Sequence, residues 1–332
     1  MSTNRTAIIA KVFKVLKKHY KPVTPPADRS ALEHLLYGCL LENARFEATD
    51  EAFAKLKELY FDWNEVRVTT VTELAEGMNG IPDAAAAAQR VKRSLQSVFE
   101  GGYSFDIEAL KKQNLGKAEK DLEKVNGTTP FVRAYVTQNA LGGHSIPVSK
   151  GAIDVLYAVA AINDAEADKG IVPGLERAVP KNKGVEFGSL LQQVAADLLA
   201  SPGSGKLKGV LAEIDPQFKE RLTARQTRLE VAAAAQAVAA KDARDKARAE
   251  AKAAAQAAAE AKPAGRSSAK QQPKLAEKPA PASQADAAKP KDKEAPRSKP
   301  MAPPAKKKDE PPATAKESRR SPVKGLARKK PR

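Results

Sequence analysis

Apolar positions recur at helical spacing along most of the chain up to residue 222. Ile8, Ile9, Val12, Phe13, Val15 and Leu16 stand among lysines near the spacing of one helical face, which predicts an amphipathic helix over Thr6–Tyr20. The run KPVTPPADRS ends it, because proline cannot continue a helix. Ser30–Leu41 begins at a Ser or Asp cap and is apolar on most sides, as a central core helix should be. Further helices are predicted at Thr49–Leu59, Val71–Met78, Asp83–Glu100, Ile107–Lys112 and Lys117–Val125, each bounded by Gly, Pro, Asn or Asp. Phe131–Leu141, Ser149–Ile162, Phe187–Leu199 and Leu207–Ile214 complete the series. No stretch alternates convincingly like a strand, so the expected fold is all-α.

Beyond residue 222 the pattern changes. Residues 223–260 are rich in Ala, with charges of both signs and no large apolar face, which predicts a solvated helical spacer; a dimeric coiled coil is the other reading. Residues 261–332 hold 13 of the 23 prolines, and no aromatic residue follows Phe218. Such a segment cannot bury enough apolar surface to offset the entropy of ordering, and it is expected to be disordered.

Charge sharpens this division. The whole chain carries +17, but residues 261–332 contain 21 Lys plus Arg against 7 Asp plus Glu, a surplus of 14. The first 260 residues are left with 36 against 33. The tail's alternation of Lys or Arg with Pro and Ala resembles linker-histone tails, with Ser321-Pro322-Val323-Lys324 as a short basic turn, and it implies sequence-independent neutralisation of DNA phosphates. A purely solubilising tail is the alternative. No run of about 18 apolar residues is present, so a membrane partner is not expected, and a cytoplasmic, nucleoid-associated protein is, or a nuclear one in a eukaryote. The one cysteine, Cys39, lies in the apolar run LEHLLYGCLL and reads as a small buried hydrophobe. Alone it makes neither an internal disulfide nor a zinc or iron–sulfur site, and no cofactor or metal is expected.

One short stretch carries candidate chemistry. In LEKVNGTTPFVRAYV, residues 122–136, Asn126 and Gly127 tolerate positive φ, so two helices can be joined there by a tight reversal. Such a hairpin either touches nothing or aims backbone N–H groups, among them those of Thr128 and Thr129, at an anion beside the next helix N-terminus.

The order of segments resembles the helix–hairpin–helix DNA glycosylase superfamily, in its endonuclease III branch. SALEHLLYGCLLENARFEATDEAFAKL is similar to that family's first core helix and loop, LEKVNGTTPFVRAYV to its L-P-G-V-G-x-K-T-A hairpin, and GGHSIPVSKGAIDVL to the segment holding its aspartate. The resemblance spans about residues 5–222. It implies a two-lobed helical domain: residues 25–136 as a six-helix lobe, and residues 5–20 with 149–222 as the second. A DNA cleft would lie between them, into which a base is flipped.

Departures from the family pattern decide what chemistry the resemblance implies. Its nucleophilic lysine falls on Thr128, or on Thr129, Pro130 or Val132 if the alignment slides, and none of these is an amine. Its aspartate falls on Ser149, which can cap a helix but supplies no charge. The cluster-binding cysteines are missing from SPGSGKLKGVLAEIDPQF. Lys150 and Asp154 are the outside catalytic candidates, with a phosphate contact and a surface helix position as their plainer readings; His144 reads as a loop histidine. Candidate DNA contacts are Lys124, Asn126, Gly127, Thr128, Thr129 and Arg133 around the hairpin, with Asn43 and Arg45 in the loop that the family inserts into the helix stack. Three readings remain: a DNA-binding relative of repair glycosylases without AP-lyase chemistry, a working monofunctional glycosylase with an unrecognised general base that activates water, and a chromatin-like architectural protein.

Overall fold

The structure, a computed structural model, describes residues 2–260, with side chains from 4 to 253. The helices are α1 (Ser2–His19), α2 (Ala31–Leu41), α3 (Phe46–Leu59), α4 (Trp63–Val68), α5 (Val71–Glu76), α6 (Ala84–Gly102), α7 (Leu115–Glu123) and α8 (Pro130–Asn139). After them come α9 (Lys150–Ala158), α10 (Asp164–Lys169), α11 (Leu175–Ala178), α12 (Gly184–Ala200), α13 (Gly205–Ile214) and α14 (Phe218–Glu260). Two 3-10 turns lie at Glu108–Lys112 and Lys181–Lys183, and no strand occurs among the described residues. The fold is all-α, as the apolar spacing predicts. The expected disordered, basic stretch at 261–332 lies outside the described residues.

The apolar residues separate into two cores. In the first, α2 is the central helix, and of its residues only Glu33 is not buried. Its start is fixed by a reciprocal cap: Ser30 Oγ accepts from Glu33 N–H at 3.1 Å, and Glu33 Oε2 accepts from Ser30 N–H at 2.9 Å. α6 lies against it with Ala87, Ala88, Val91, Leu95 and Val98 turned inward, a stripe at helical period. Phe131, Val132, Tyr135 and Val136 of α8 complete this core. Cys39 is fully buried in it, which presses its thiol pKa up to about 12, as expected of an inert hydrophobe.

The second core joins α1 to the C-terminal helices, with Ile9, Val12 and Leu16 meeting Phe187, Leu190, Leu191 and Val194 of α12. Phe13 meets Phe187 edge to face at 5.4 Å. α9 and α12 approach so closely that a Cβ on Gly151 would lie 2.6 Å from Ala195 O, and only glycine admits that packing.

The lobes are tied by polar contacts. Gln192 Nε2 on α12 donates to Leu41 O at 2.9 Å and Ala44 O at 3.0 Å, and Val23 N–H donates to Ser189 Oγ at 3.1 Å. Gln192 thereby gives the Ala44 carbonyl a donor and adds a second one to Leu41 O, which also accepts from Ala44 N–H at 2.9 Å.

Three helices escape the apolar pattern. α4, α10 and α11 have 6, 6 and 4 residues, too few to display a period. Side-chain caps start two of them: Asp62 accepts from Glu65 N–H, and Asn163 with Glu166 forms a capping box. The expected solvated helix over 223–260 departs only in its first turns, because α14 is continuous from Phe218 and packs there on α9 and α10, while residues 230–253 are exposed.

Candidate nucleic-acid interface

The hairpin between α7 and α8 is built by residues that each do a local job. Gly127 has φ of +92°, and a Cβ there would lie 2.8 Å from both Arg90 O and Arg93 Cβ on α6. Glycine is therefore required by the turn and by its seat on α6 alike. Thr128 Oγ1 donates to Val125 O at 2.8 Å and closes the turn. Thr129 starts α8: its hydroxyl accepts from Val132 N–H at 3.2 Å, and Pro130 takes the first helical position, where an amide hydrogen would go unused.

The amides correct one expectation. Thr128 N–H is engaged with Val125 O at 3.3 Å, and Asn126 N–H with Ser97 Oγ at 3.1 Å, so neither stands open to an anion. Those of Gly127 and Thr129 make no hydrogen bond among the described residues, and Asn126 is exposed at the tip. Arg133 braces the turn by donating from Nη1 to Thr128 O at 3.3 Å, while Lys124 extends outward beside Asp121.

A cavity of about 540 Å³ opens next to the hairpin, and both lobes line it. Glu42, Pro130 and Phe131 come from the first lobe, and Val148, Ser149, Lys150 and Ile153 from the second. α14 adds Arg225, Arg228, Leu229 and Ala232 to the wall. The start of the hairpin helix and the capped start of α9 thus face one space.

No protein-family model matches the chain, and no curated protein matches it. Several solved structures are similar. A non-covalent endonuclease III–DNA complex is 13% identical over 66% of this chain and 98% of that one, with a TM-score of 0.47. A thermostable thymine-DNA glycosylase is 16% identical, covering 63% and 97%, with a TM-score of 0.44. The apo 8-oxoguanine glycosylase/lyase of Clostridium acetobutylicum is 16% identical, covering 56% and 68%, with a TM-score of 0.39.

Ser149 is buried and caps α9 by accepting from Ala152 N–H at 3.4 Å, the structural role expected of it. Lys150 follows, exposed on the cavity rim. Asp154 departs from both readings made of it, as a catalytic candidate and as a surface residue. Arg225, 4% exposed, donates Nε to Asp154 Oδ1 and approaches Asp168 at 3.4 Å, so Asp154 anchors α14. Arg228 continues the clamp with Asp164 and Asp168. His144 is a loop histidine, its Nε2 lying 2.7 Å from Glu176 O and 3.0 Å from Val179 O.

The loop after α2 divides between two places. Arg45 turns away from the hairpin cavity to pair with Asp197 at 2.9 Å, and Tyr20 OH donates to the same carboxylate at 3.0 Å. It lines a separate groove of about 630 Å³ with Lys206 and Ser204. Asn43 adopts φ of +65° and buries its Oδ1 without a hydrogen-bond partner, and it lines neither space. The structure therefore brings neither candidate to the hairpin.

Glu42 is the residue that the sequence pattern did not single out. It closes α2, and its Oε2 accepts from Thr129 Oγ1 at 3.1 Å and faces Arg90 Nε at 3.4 Å. Burial raises its carboxyl above the ordinary range, opposed by the Arg90 charge and the Thr129 hydrogen bond. The available signal was a carboxylate ending the apolar run LLYGCLL, in LLENARF.

Proposed function

We propose that this chain binds duplex DNA through the hairpin and the cavity beside it, and that it does so without AP-lyase chemistry. The observation that carries the reading is the hairpin itself. A tight reversal held on α6 by Gly127 leaves the amides of Gly127 and Thr129 without a partner next to a helix N-terminus, a combination that favours a phosphate oxygen. Exposed Lys124 near the turn, with Lys150 and Lys169 on the cavity rim, adds positive charge of the kind that secures a DNA backbone independently of sequence. Lyase chemistry requires an amine that attacks sugar C1′, and the hairpin offers Thr128, Thr129 and Pro130 there. A nucleoid or nuclear setting accords with this reading; no helix among the described residues is long and apolar enough to cross a membrane.

The test is incubation of the full chain with duplex containing a single abasic site, in the presence of borohydride. Retention of the duplex on a gel without a covalent adduct is the expected result. A trapped adduct would overturn the lyase part, and Lys150→Ala would then show whether the cavity lysine is the amine. Absence of any duplex binding would overturn the whole reading.

A further inference from the structure

The loop between α3 and α4 carries more aromatic surface than the core uses. In LYFDW, residues 59–63, Tyr60 and Trp63 are only partly buried against the first core, and Phe61 is 98% exposed. Burying an aromatic ring is among the larger gains open to a folding chain, and a ring left almost wholly in water forgoes it. The loop is nonetheless fixed. Phe61 N–H donates to Glu65 Oε2 at 2.7 Å, and Asp62 Oδ1 accepts from Glu65 N–H at 2.9 Å, the cap that starts α4. Trp63 rests beside Phe53 of the core, 6.2 Å between ring centres.

Tyr60, Phe61 and Trp63 line a cavity of about 170 Å³ together with buried Leu56 and the carboxylates of Glu33 and Asp62. It is smaller than the roughly 300–1,000 Å³ usual for whole small-molecule ligands, so it suits one compact group. None of its residues borders the hairpin cavity. The surroundings are negative: from Glu58 to Glu76 the chain carries five carboxylates and one cation, Arg67, whose guanidinium is engaged by Asn64 and Gln96. The Tyr60 phenol registers this field. Burial raises its pKa first, then the charge of Glu73, with Glu65 and Glu76 adding to it against a hydrogen bond from Thr69.

Aromatic faces beside negative charge favour a cation, and the state of the carboxylates decides which kind. Glu33 is filled: Oε1 accepts from Lys57 Nζ at 2.8 Å, and Oε2 from Ser30 N–H at 2.9 Å. Lys57 borders the cavity as well, so its pairing with Glu33 leaves Asp62 to balance an incoming charge. One oxygen of Asp62 already holds the α4 cap. A primary ammonium or a guanidinium brings several N–H donors and would leave most of them unanswered on leaving water. A quaternary ammonium has no N–H to satisfy, and its methyl groups meet ring faces directly. We propose that this pocket binds a quaternary ammonium group between Tyr60 and Trp63, with Phe61 at its open edge. Choline-like small molecules and trimethylated lysine side chains both present that group.

Trp63 is the only tryptophan of the chain, so its fluorescence reports occupancy directly. The full chain is titrated, at ionic strength held constant with sodium chloride, with choline and with the neutral alcohol in which carbon replaces its nitrogen. Two Gly/Ser peptides, one carrying a trimethyllysine and the other an unmodified lysine, form the second pair of probes. At least one quaternary probe should change the emission saturably, and bind at least about tenfold more tightly than its counterpart. Tighter binding of the trimethyllysine peptide than of choline assigns the group to a protein side chain; equal or weaker binding assigns it to a small molecule. Phe61→Ala and Asp62→Asn should each weaken binding roughly three- to fivefold, the first by removing a ring, the second by removing a charge while asparagine keeps the cap. Neither should alter the circular dichroism spectrum, since Phe61 lies outside the core. Emission that never saturates with either quaternary probe overturns the proposal. So does selectivity below that level in both pairs, or unchanged affinity when the two substitutions are combined. Duplex DNA enters none of these measurements, so their outcome leaves the DNA-binding reading untouched.

Discussion

Gly127 shows how much one position can be asked to satisfy. A side chain there meets two separate penalties: the left-handed backbone at φ +92°, and contact at 2.8 Å with Arg90 O and Arg93 Cβ. Gly127→Ala should cost about 3 kcal/mol, since left-handed backbone costs roughly 1–2 kcal/mol and overpacking typically adds about 1–3 kcal/mol. Urea unfolding measures this directly, and a loss below about 1 kcal/mol would mean that the hairpin can leave α6 cheaply. A different constraint acts at His34, which is 4% exposed with an unpartnered Nδ1. Burial, followed by the charges of Arg29 and Lys111, pulls its pKa from 6.5 down to about 4. The unfolded chain takes up this proton below pH 6.5 while the folded one stays neutral, so stability is unaffected above 6.5 and is lost as pH falls from 6.5 toward 4. The loss is about 3 kcal/mol at roughly 1.4 kcal/mol per pKa unit. His34→Leu should flatten the fall of melting temperature across that window, and an unchanged acid slope would assign the effect to other groups.

At the scale of helices, the legibility of the chain follows from where the information resides. α2, α6 and α8 were readable because an apolar face or an apolar run extends over two turns or more. The Ser149 cap was readable because capping is local. The necessity of Gly151 was not, since it depends on Ala195 O, a neighbour supplied by the fold. The same reason hid Glu42, which acquires its surroundings from α6 and α8, and the ion pair of Arg45, whose partner lies on α12. Arg225 is the sharpest instance. Within an Ala-rich charged stretch it reads as solvated, yet it is buried and paired with Asp154 and Asp168. Arg225→Ala strands the mostly buried Asp154 carboxylate and should destabilise the second lobe by about 3 kcal/mol or more. Replacing Asp154 by Asn as well should recover much of that loss, because the uncompensated charge is then gone. Simple additivity in that double-mutant cycle would show that the pair is not coupled.

For the molecule as a whole, the distribution of charge separates two ways in which the proposed DNA binding would be achieved. Residues 1–260 are nearly balanced, with 36 basic against 33 acidic side chains, so on the proposed function the hairpin and cavity would act through placed donors and a few cations. Residues 261–332, outside the described part, carry the surplus of 14 and would act by neutralising phosphates and releasing counterions. The two contributions differ in salt dependence. Each phosphate neutralised adds about 0.9 to the slope of log affinity against log salt, whereas a backbone amide adds nothing of that kind. Deleting residues 261–332 should therefore reduce the slope by about half or more, and leave a weaker binding that varies little with salt. Gly127→Val in the shortened chain should then remove most of what remains, since it misdirects the amides of Gly127 and Thr129. Fluorescence anisotropy with one labelled duplex over a salt series measures both terms. An undiminished slope after the deletion would place the anchoring cations in the helical part, and Lys124, Lys150 and Lys169 would become the residues to neutralise.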